Sequence, residues 1–88
     1  MQPIIECVPN FSEGRNLQTI KLITDAIETV EGIRLLDVDP GKATNRTVVT
    51  FVGAPADVIE AAFRGIQKAA EVIDMRNHTG EHPRMGAT

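Results

Sequence analysis

The chain has 88 residues, with 9 basic and 12 acidic side chains and a formal net charge of −3. This length predicts one domain, residues 1–88, with a single small core. The mixed, mildly acidic charge argues against nucleic acid or an anionic membrane as a partner. Three phenylalanines without tyrosine or tryptophan also argue against stacking on single-stranded nucleic acid.

The apolar residues occur in short runs, too short for a transmembrane helix, and the first ten residues do not have the pattern of a signal peptide. The expected compartment is therefore the cytoplasm. Cys7 is the only cysteine and lies in an apolar, strand-like run. A buried free thiol is the expected state for such a residue, rather than a nucleophile.

The first half of the chain predicts a strand, a helix and a second strand. Residues 3–8 are mostly apolar and end at a Pro-Asn pair, which is typical of a strand. Asn16 is a candidate helix N-cap, and Gly32 stands where a left-handed C-terminal cap is expected. The residues expected on the buried face of this helix are Leu17, Ile20, Ile23, Ile27 and Val30. Residues 33–38 then predict the second strand.

The second half predicts a turn, a third strand and a second helix. Residues 39–45 begin with Asp-Pro-Gly, which favours a turn. Residues 47–52 are rich in β-branched side chains and predict a strand that ends at Gly53. Residues 55–73 predict a helix with Asp57 in its first turn. Its expected buried face consists of Ile59, Ala62, Phe63, Ile66, Ala70 and Ile73.

This order of elements predicts an α+β two-layer sandwich. Strand, helix, strand, strand, helix corresponds to a ferredoxin-like βαββα(β) fold, with two helices on one face of a mainly antiparallel sheet. A last strand is expected after Arg84. If that strand is missing, the sheet edge that it would occupy presents unpaired backbone groups that can pair with another chain. The same topology brings three loops, residues 10–15, 39–46 and 74–84, to one end of the sheet. Both histidines and most loop arginines lie there, which predicts the functional site.

The segment HTGEHPR, residues 78–84, contains an H-x-x-E-H pattern found in some zinc proteases. Such a site needs both histidines on one helix, and Gly80 and Pro83 oppose a helix here. General acid–base chemistry is the second interpretation, with Asp39 or Glu81 orienting a histidine. A polar surface loop without a function is the third.

Other polar residues of these loops suit a substrate that carries a carboxylate. Arg15, Arg46 and Arg84 could bind it through their guanidinium groups, and Asn10 and Asn45 offer neutral donors and acceptors. The arginines also have a structural interpretation, because arginines are common on solvated surfaces. Asp39 has one too, because aspartate is favoured at the first position of a turn.

Three segments in this order resemble the N-terminal subdomain of the glutamate formiminotransferase family: ECVPNFSEGRN (6–16), LLDVDPGKATNRTVVTFVG (35–53) and IDMRNHTGEHPRMGA (73–87). The resemblance implies transfer of a formimino group from N-formimino-L-glutamate to N5 of tetrahydrofolate, the co-substrate, in cytoplasmic histidine breakdown. It implies no metal, and either a homo-oligomer or a complementary C-terminal subdomain as partner. A non-catalytic folate-binding or oligomerisation module is the alternative, and a zinc hydrolase is the more distant one.

The resemblance also implies roles for individual residues. His82, in the GEHPR motif, matches the general base of the family, and Asp39 is the candidate that orients it. Candidate contacts to folate or to the formimino substrate are Asn10, Glu13, Asn45, Arg46, His78 and Arg84. The family places its substrate passage between this subdomain and a second one that follows it.

Overall fold

The computed structural model of the chain describes residues 3–73 and Thr88. Its elements are β1 (Ile5–Cys7), β2 (Asn10–Phe11), α1 (Leu17–Glu28), β3 (Arg34–Gly41), β4 (Arg46–Gly53) and α2 (Pro55–Val72). The α+β architecture and the order of elements expected from the sequence are confirmed. The strand expected after Arg84 lies outside the described residues.

The central strand of the sheet is β4. It pairs antiparallel with β1 and β2 along one edge and with β3 along the other. The first predicted strand, residues 3–8, is shorter in the structure, and strand pairing resumes in β2 after a break. The break contains Pro9, which has no N–H to donate to the ladder. The carbonyl of Pro9 still accepts a hydrogen bond from the Val49 amide at 3.0 Å. Asn10 consequently lies in a strand, where the sequence predicted the start of a loop.

The turn predicted for residues 39–45 is also shorter than expected. Asp39, Pro40 and Gly41 belong to β3 and pair with Val48, Thr47 and Arg46, in that order. Only residues 42–45 form the turn. Pairing with β4 outweighs the local turn preference, and proline is tolerated because β3 is an edge strand of the sheet formed by residues 3–73.

Helix α1 begins as predicted, since the Asn16 side chain accepts hydrogen bonds from the amides of Gln18 and Thr19. The helix ends at Glu28 with Thr29 as its C-cap, so Gly32 lies in the turn that follows. Gly32 has the expected positive φ, 92°. Four of the five predicted core residues are buried, but Leu17 is 68% exposed, and its assignment to the core was wrong.

Helix α2 has nearly the predicted extent, but most of its predicted buried face was wrong, since only Ala62 and Ile73 of that face pack partly buried against the core. Its buried residues are Val58, Ala61, Gly65 and Ala69, whereas Phe63 is 60% exposed. Small residues face the rest of the fold because the two helices pack closely. A Cβ atom on Gly65 would lie 2.9 Å from Cγ1 of Ile27. The large apolar side chains of α2 lie on another side of the helix.

The core lies between the helices and one face of the sheet. Its largest fully buried side chains include Phe11, Ile23, Ile27, Val49 and Phe51. Cys7 is half-buried and packs against this cluster. Burial raises the pKa of its thiol, opposed in part by a hydrogen bond from the Val8 backbone. The thiol therefore stays protonated at neutral pH, as expected for a structural cysteine.

Within residues 3–73, neither helix is long and apolar enough to cross a membrane.

Candidate functional site

Two of the three loops that were predicted to share one end of the sheet are bonded to each other. The Gly14 amide donates to Oδ1 of Asn45 at 2.9 Å, and Nε of Arg15 donates to the carbonyl of Lys42 at 2.9 Å. The Thr47 hydroxyl donates to the carbonyl of Glu13. These three contacts join residues 13–15 to the β3–β4 hairpin, and together they are called the loop clamp below.

Gly14 allows the loop clamp to close. A Cβ atom at this position would lie 2.2 Å from the carbonyl oxygen of Gly41 and 2.5 Å from the backbone nitrogen of Arg46. Both neighbours are backbone atoms of a paired hairpin and cannot rotate away. Glycine is therefore required for the close approach of the two backbones.

Asn45 supplies the other half of the clamp. Its φ is 50°, in the left-handed region that asparagine tolerates better than most residues, and it is buried. Its side chain accepts the hydrogen bond from the buried Gly14 amide. Asn45 therefore has two structural roles: its backbone adopts the positive φ of the turn, and its side chain accepts the hydrogen bond of the Gly14 amide.

Comparing two substitutions of Asn45 should distinguish the contributions of these two roles to the free energy of unfolding. We expect Asn45→Ala to lower the free energy of unfolding by about 2–3 kcal/mol, because it strains the backbone and leaves the Gly14 amide unpaired. Asn45→Gly should cost about 1–2 kcal/mol, since only the acceptor is lost. Urea denaturation of both variants measures the difference. Equal costs for alanine and glycine would show that the positive φ does not matter.

Within residues 3–73, one face of the sheet carries no helix and is called the open face below. Candidate residues meet at its clamped end. Asn10 of β2 and Asp39 of β3 both pair with Val48 of β4 from opposite sides. Paired residues share a face of the sheet, and Val48 lies on the face opposite to the buried Val49. Asn10 and Asp39 therefore lie on the open face about 10 Å apart, two strand spacings. Arg46 lies on the same face, two residues along β4 from Val48.

A β-bulge directs Asp39 to this face. The pairing register shifts between Leu35 and Asp37, so that one residue of β3 is unpaired. Without this extra residue, Asp37 and Asp39 would face the core, because side chains alternate along a strand. The bulge thus places two carboxylates in solvent beside the central strand.

Asp39 and Arg46 do not form ion pairs within residues 3–73. Asp39 is exposed and Arg46 is half-buried. The ion pairs found among residues 3–73 all join side chains within one helix, on α1 or α2. A carboxylate, a guanidinium and the Asn10 amide can therefore contact one bound molecule at the clamped end of the open face.

Two further candidate residues take part in the loop structure. Oε2 of Glu13 accepts hydrogen bonds from the amides of Arg15 and Asn16, each at 3.1 Å. Asn45 holds the loop clamp. His78, His82 and Arg84 lie outside the described residues, so the structure brings together Asn10, Asp39 and Arg46 but does not test the histidine assignments.

Sequence reasoning missed the roles of Gly14 and Thr47. Gly14 stands inside the segment ECVPNFSEGRN, where a glycine between two charged residues indicates a close backbone approach. Thr47 was predicted only as a strand residue, and its side chain is 1% exposed. A buried hydroxyl needs a partner, and here it is a carbonyl 34 positions earlier in the chain, which no local pattern reveals.

No group of three or more His, Cys, Asp or Glu side chains within residues 3–73 is arranged to hold a metal ion. Both histidines lie outside this range, so the zinc interpretation of HTGEHPR stays a hypothesis.

The fold and the clamped loops define a ferredoxin-like α+β subdomain with polar candidate residues gathered at one end. Residues 4–88 match the family model of the formiminotransferase domain, N-terminal subdomain. The chain belongs to this family. It is 56% identical over 87 residues to the formimidoyltransferase-cyclodeaminase of Rattus norvegicus, covering 99% of this chain and 16% of the relative.

Shorter relatives also match along nearly the whole of this chain. The glutamate formimidoyltransferase of Thermoplasma acidophilum is 51% identical over 84 residues, which is 96% of this chain and 28% of the relative. That of Streptococcus pyogenes is 47% identical over 88 residues, 100% of this chain and 29% of the relative. The chain thus spans less than a third of the curated relatives that it matches.

Proposed function

We propose that the chain supplies the N-terminal half of an active site that transfers a formimino group from N-formimino-L-glutamate to N5 of tetrahydrofolate. The main support is the convergence of Asn10, Asp39 and Arg46 on one end of the open face, in a chain whose relatives are named for formimidoyl transfer. The reaction belongs to cytoplasmic one-carbon metabolism in this proposal.

The proposed chemistry is nucleophilic substitution at the formimino carbon. His82 acts as the general base and removes the proton from N5 as this nitrogen attacks. The resulting tetrahedral intermediate then loses the glutamate nitrogen, which takes a proton from the same imidazole. The formimino group ends on N5, free glutamate leaves, and the histidine returns to its neutral state.

The neighbouring residues would orient the reactants. Asp39 is exposed on the open face and would accept a hydrogen bond from the imidazole, which fixes its tautomer. Arg46 would bind a carboxylate of N-formimino-L-glutamate or of the folate tail. Asn10 lies across Val48 and would hydrogen-bond the pterin or the formimino nitrogen. His78 and Arg84 are proposed as further contacts to these substrates.

The site proposed here is completed by polypeptide outside this chain. The relatives extend well beyond the matched part, which is 16–29% of their length. The open face is polar at its clamped end and has β-branched residues along β4, so a second subdomain could cover it and exclude water from the reacting atoms.

The test combines this chain with the remainder of a formimidoyltransferase and measures glutamate release from N-formimino-L-glutamate with tetrahydrofolate present. We expect release by the mixture and none by either part alone. Asp39→Asn should lower the rate about tenfold or more, since the amide cannot hold the imidazole in its basic form. Asp37→Asn is the matched control on the same strand and face, and it should leave the rate nearly unchanged.

Two outcomes would contradict the proposal. Folate binding without turnover by the complemented chain would favour a non-catalytic module. Equal losses from Asp37→Asn and Asp39→Asn would show that the general charge of the open face matters, and not the position of Asp39.

A further inference from the structure

Glu13 is half-buried, and both its backbone and its carboxylate make hydrogen bonds within the fold. Its amide donates to the carbonyl of Phe11 at 2.8 Å, which ties it to β2. Oε2 of its carboxylate accepts hydrogen bonds from the amides of Arg15 and Asn16, each at 3.1 Å. Its carbonyl accepts the hydroxyl of Thr47 in the loop clamp. Glu13 thus connects β2, the start of α1 and the hairpin.

The carboxylate of Glu13 determines the shape of residues 13–16. Short polar side chains close local turns by accepting amides two or three residues ahead, and Glu13 does the same with a longer side chain. A single oxygen, Oε2, accepts both bonds, so the turn needs one acceptor atom and no second oxygen. A glutamine could make the same two bonds through its side-chain oxygen, although without the added strength of a charged acceptor.

This loop holds the backbone of Arg46 from both sides. Asn45, the residue before it, accepts the hydrogen bond from the Gly14 amide at 2.9 Å. Thr47, the residue after it, donates to the carbonyl of Glu13. The backbone of Gly14 also lies directly against Arg46, since a Cβ on Gly14 would be 2.5 Å from the Arg46 nitrogen and 2.9 Å from its oxygen. The backbone of Arg46 therefore cannot shift unless the loop moves with it.

The restraint on the backbone also gives the Arg46 side chain a direction. Thr47 is buried, whereas Arg46, the preceding residue of β4, is half-buried and lies on the open face. A long side chain reaches a ligand reproducibly only when the backbone that carries it is fixed, and binding groups need placement to within about 0.5 Å. The loop that Glu13 shapes is thus the support from which Arg46 reaches the open face.

From these observations, we propose that Glu13 is a positioning residue, which fixes the backbone of Arg46 through the loop clamp and does not itself contact the substrate. Only the role of Arg46 here rests on the proposed function, in which its guanidinium binds a carboxylate of N-formimino-L-glutamate or of the folate tail. The proposal replaces the direct contact that the family resemblance implies for Glu13. A direct contact would use the second carboxylate oxygen, Oε1, where glutamine carries a donor instead.

The first test measures by NMR how firmly Arg46 is held in the full chain. We expect Glu13→Ala to lower the backbone ¹⁵N order parameters of residues 45–47 from about 0.85, the value of rigid backbone, to about 0.6. Glu13→Gln should restore most of the rigid value, because its side-chain oxygen can accept the two amides. Order parameters in Glu13→Ala equal to those of the wild type would overturn the proposal.

Asn16→Ala is the matched control for this measurement. Asn16 also accepts two amides through one side-chain oxygen, those of Gln18 and Thr19, and these bonds lie within the first turn of α1. Its substitution should destabilise the chain to a similar degree and leave residues 45–47 rigid. An equal loss of order at these residues in Asn16→Ala would show that overall stability, and not Glu13, holds Arg46.

The second test measures glutamate release by the chain combined with the remainder of a formimidoyltransferase. Glu13→Ala should raise KM about tenfold for the substrate that Arg46 binds and change kcat less, because this contact exists before and during the reaction. Glu13→Gln should restore most of the lost affinity. Equal losses in both variants would show that the substrate needs the charge of Glu13, which would overturn the proposal.

The two tests separate this proposal from the proposed function. Absence of turnover by the wild-type mixture would contradict the proposed function. The order parameters of residues 45–47 would still decide whether Glu13 positions Arg46, because they are measured without any substrate.

Discussion

Substitution of Gly14 by alanine should lower the free energy of unfolding by about 2–4 kcal/mol and disrupt the clamped end of the sheet. The new Cβ would lie 2.2 Å from the carbonyl oxygen of Gly41, well inside contact distance. Relief of this clash requires the loop to move away from the hairpin. That movement breaks the hydrogen bonds from the Gly14 amide to Asn45 and from the Thr47 hydroxyl to Glu13.

The appropriate control is Gly41→Ala in the same hairpin. Its Cβ would meet the Thr44 hydroxyl oxygen at 2.9 Å, and this side chain can rotate away. Gly41→Ala should therefore change the free energy of unfolding by less than about 1 kcal/mol. Urea denaturation measures both variants. Amide chemical shifts should change at Asn10 and Asp39 only for Gly14→Ala. Similar stability of the two variants would contradict the close packing described for Gly14.

The architecture could be predicted because its signals are local. Asn16 caps α1 and the β-branched run forms β4, and each of these elements is where the sequence placed it. Short connections and known chain directions then bring the first loop and the hairpin to one end of the sheet. The hydrogen bond between Gly14 and Asn45 confirms that the two loops meet.

The buried face of α2 could not be chosen from periodicity alone. The helix has one row of large apolar residues and another of small ones, and both have helical spacing. The sequence favoured the larger side chains, such as Phe63. The fold buries Gly65 instead, because α1 approaches so closely that Ile27 occupies the space of a Cβ atom. This constraint exists only after both helices are placed.

The meeting of the first loop with the hairpin was predicted, but the sheet face on which Asn10 and Asp39 lie was not. The end of the sheet followed from topology, but the open face depends on the bulge after Leu35, which has no local sequence signature. Strict alternation of side chains along β3, which ignores the bulge, would place Asp39 on the core face of the sheet. The split at Pro9 similarly moved Asn10 from a loop into a strand, where pairing with Val48 fixes its position.

Substitution of His82 by alanine should lower the rate of formimino transfer by about 10²–10⁴-fold, the range expected for loss of a general base. The proton on N5 would then have no acceptor in the protein at the moment of attack. The effect should fall on kcat, with little change in KM, because the base acts in the transition state. The assay is glutamate release by the chain combined with the remainder of a formimidoyltransferase.

The matched control is His78→Ala, four residues earlier in the same segment. His78 is proposed as a substrate contact, so its loss should raise KM more than it lowers kcat, by about tenfold for one hydrogen bond. Urea denaturation of both variants distinguishes a loss of folding from a loss of catalysis. Equal losses of kcat in the two variants, or near-normal turnover of His82→Ala, would remove His82 as the base. Either result would direct the search to another group near Asp39 on the open face.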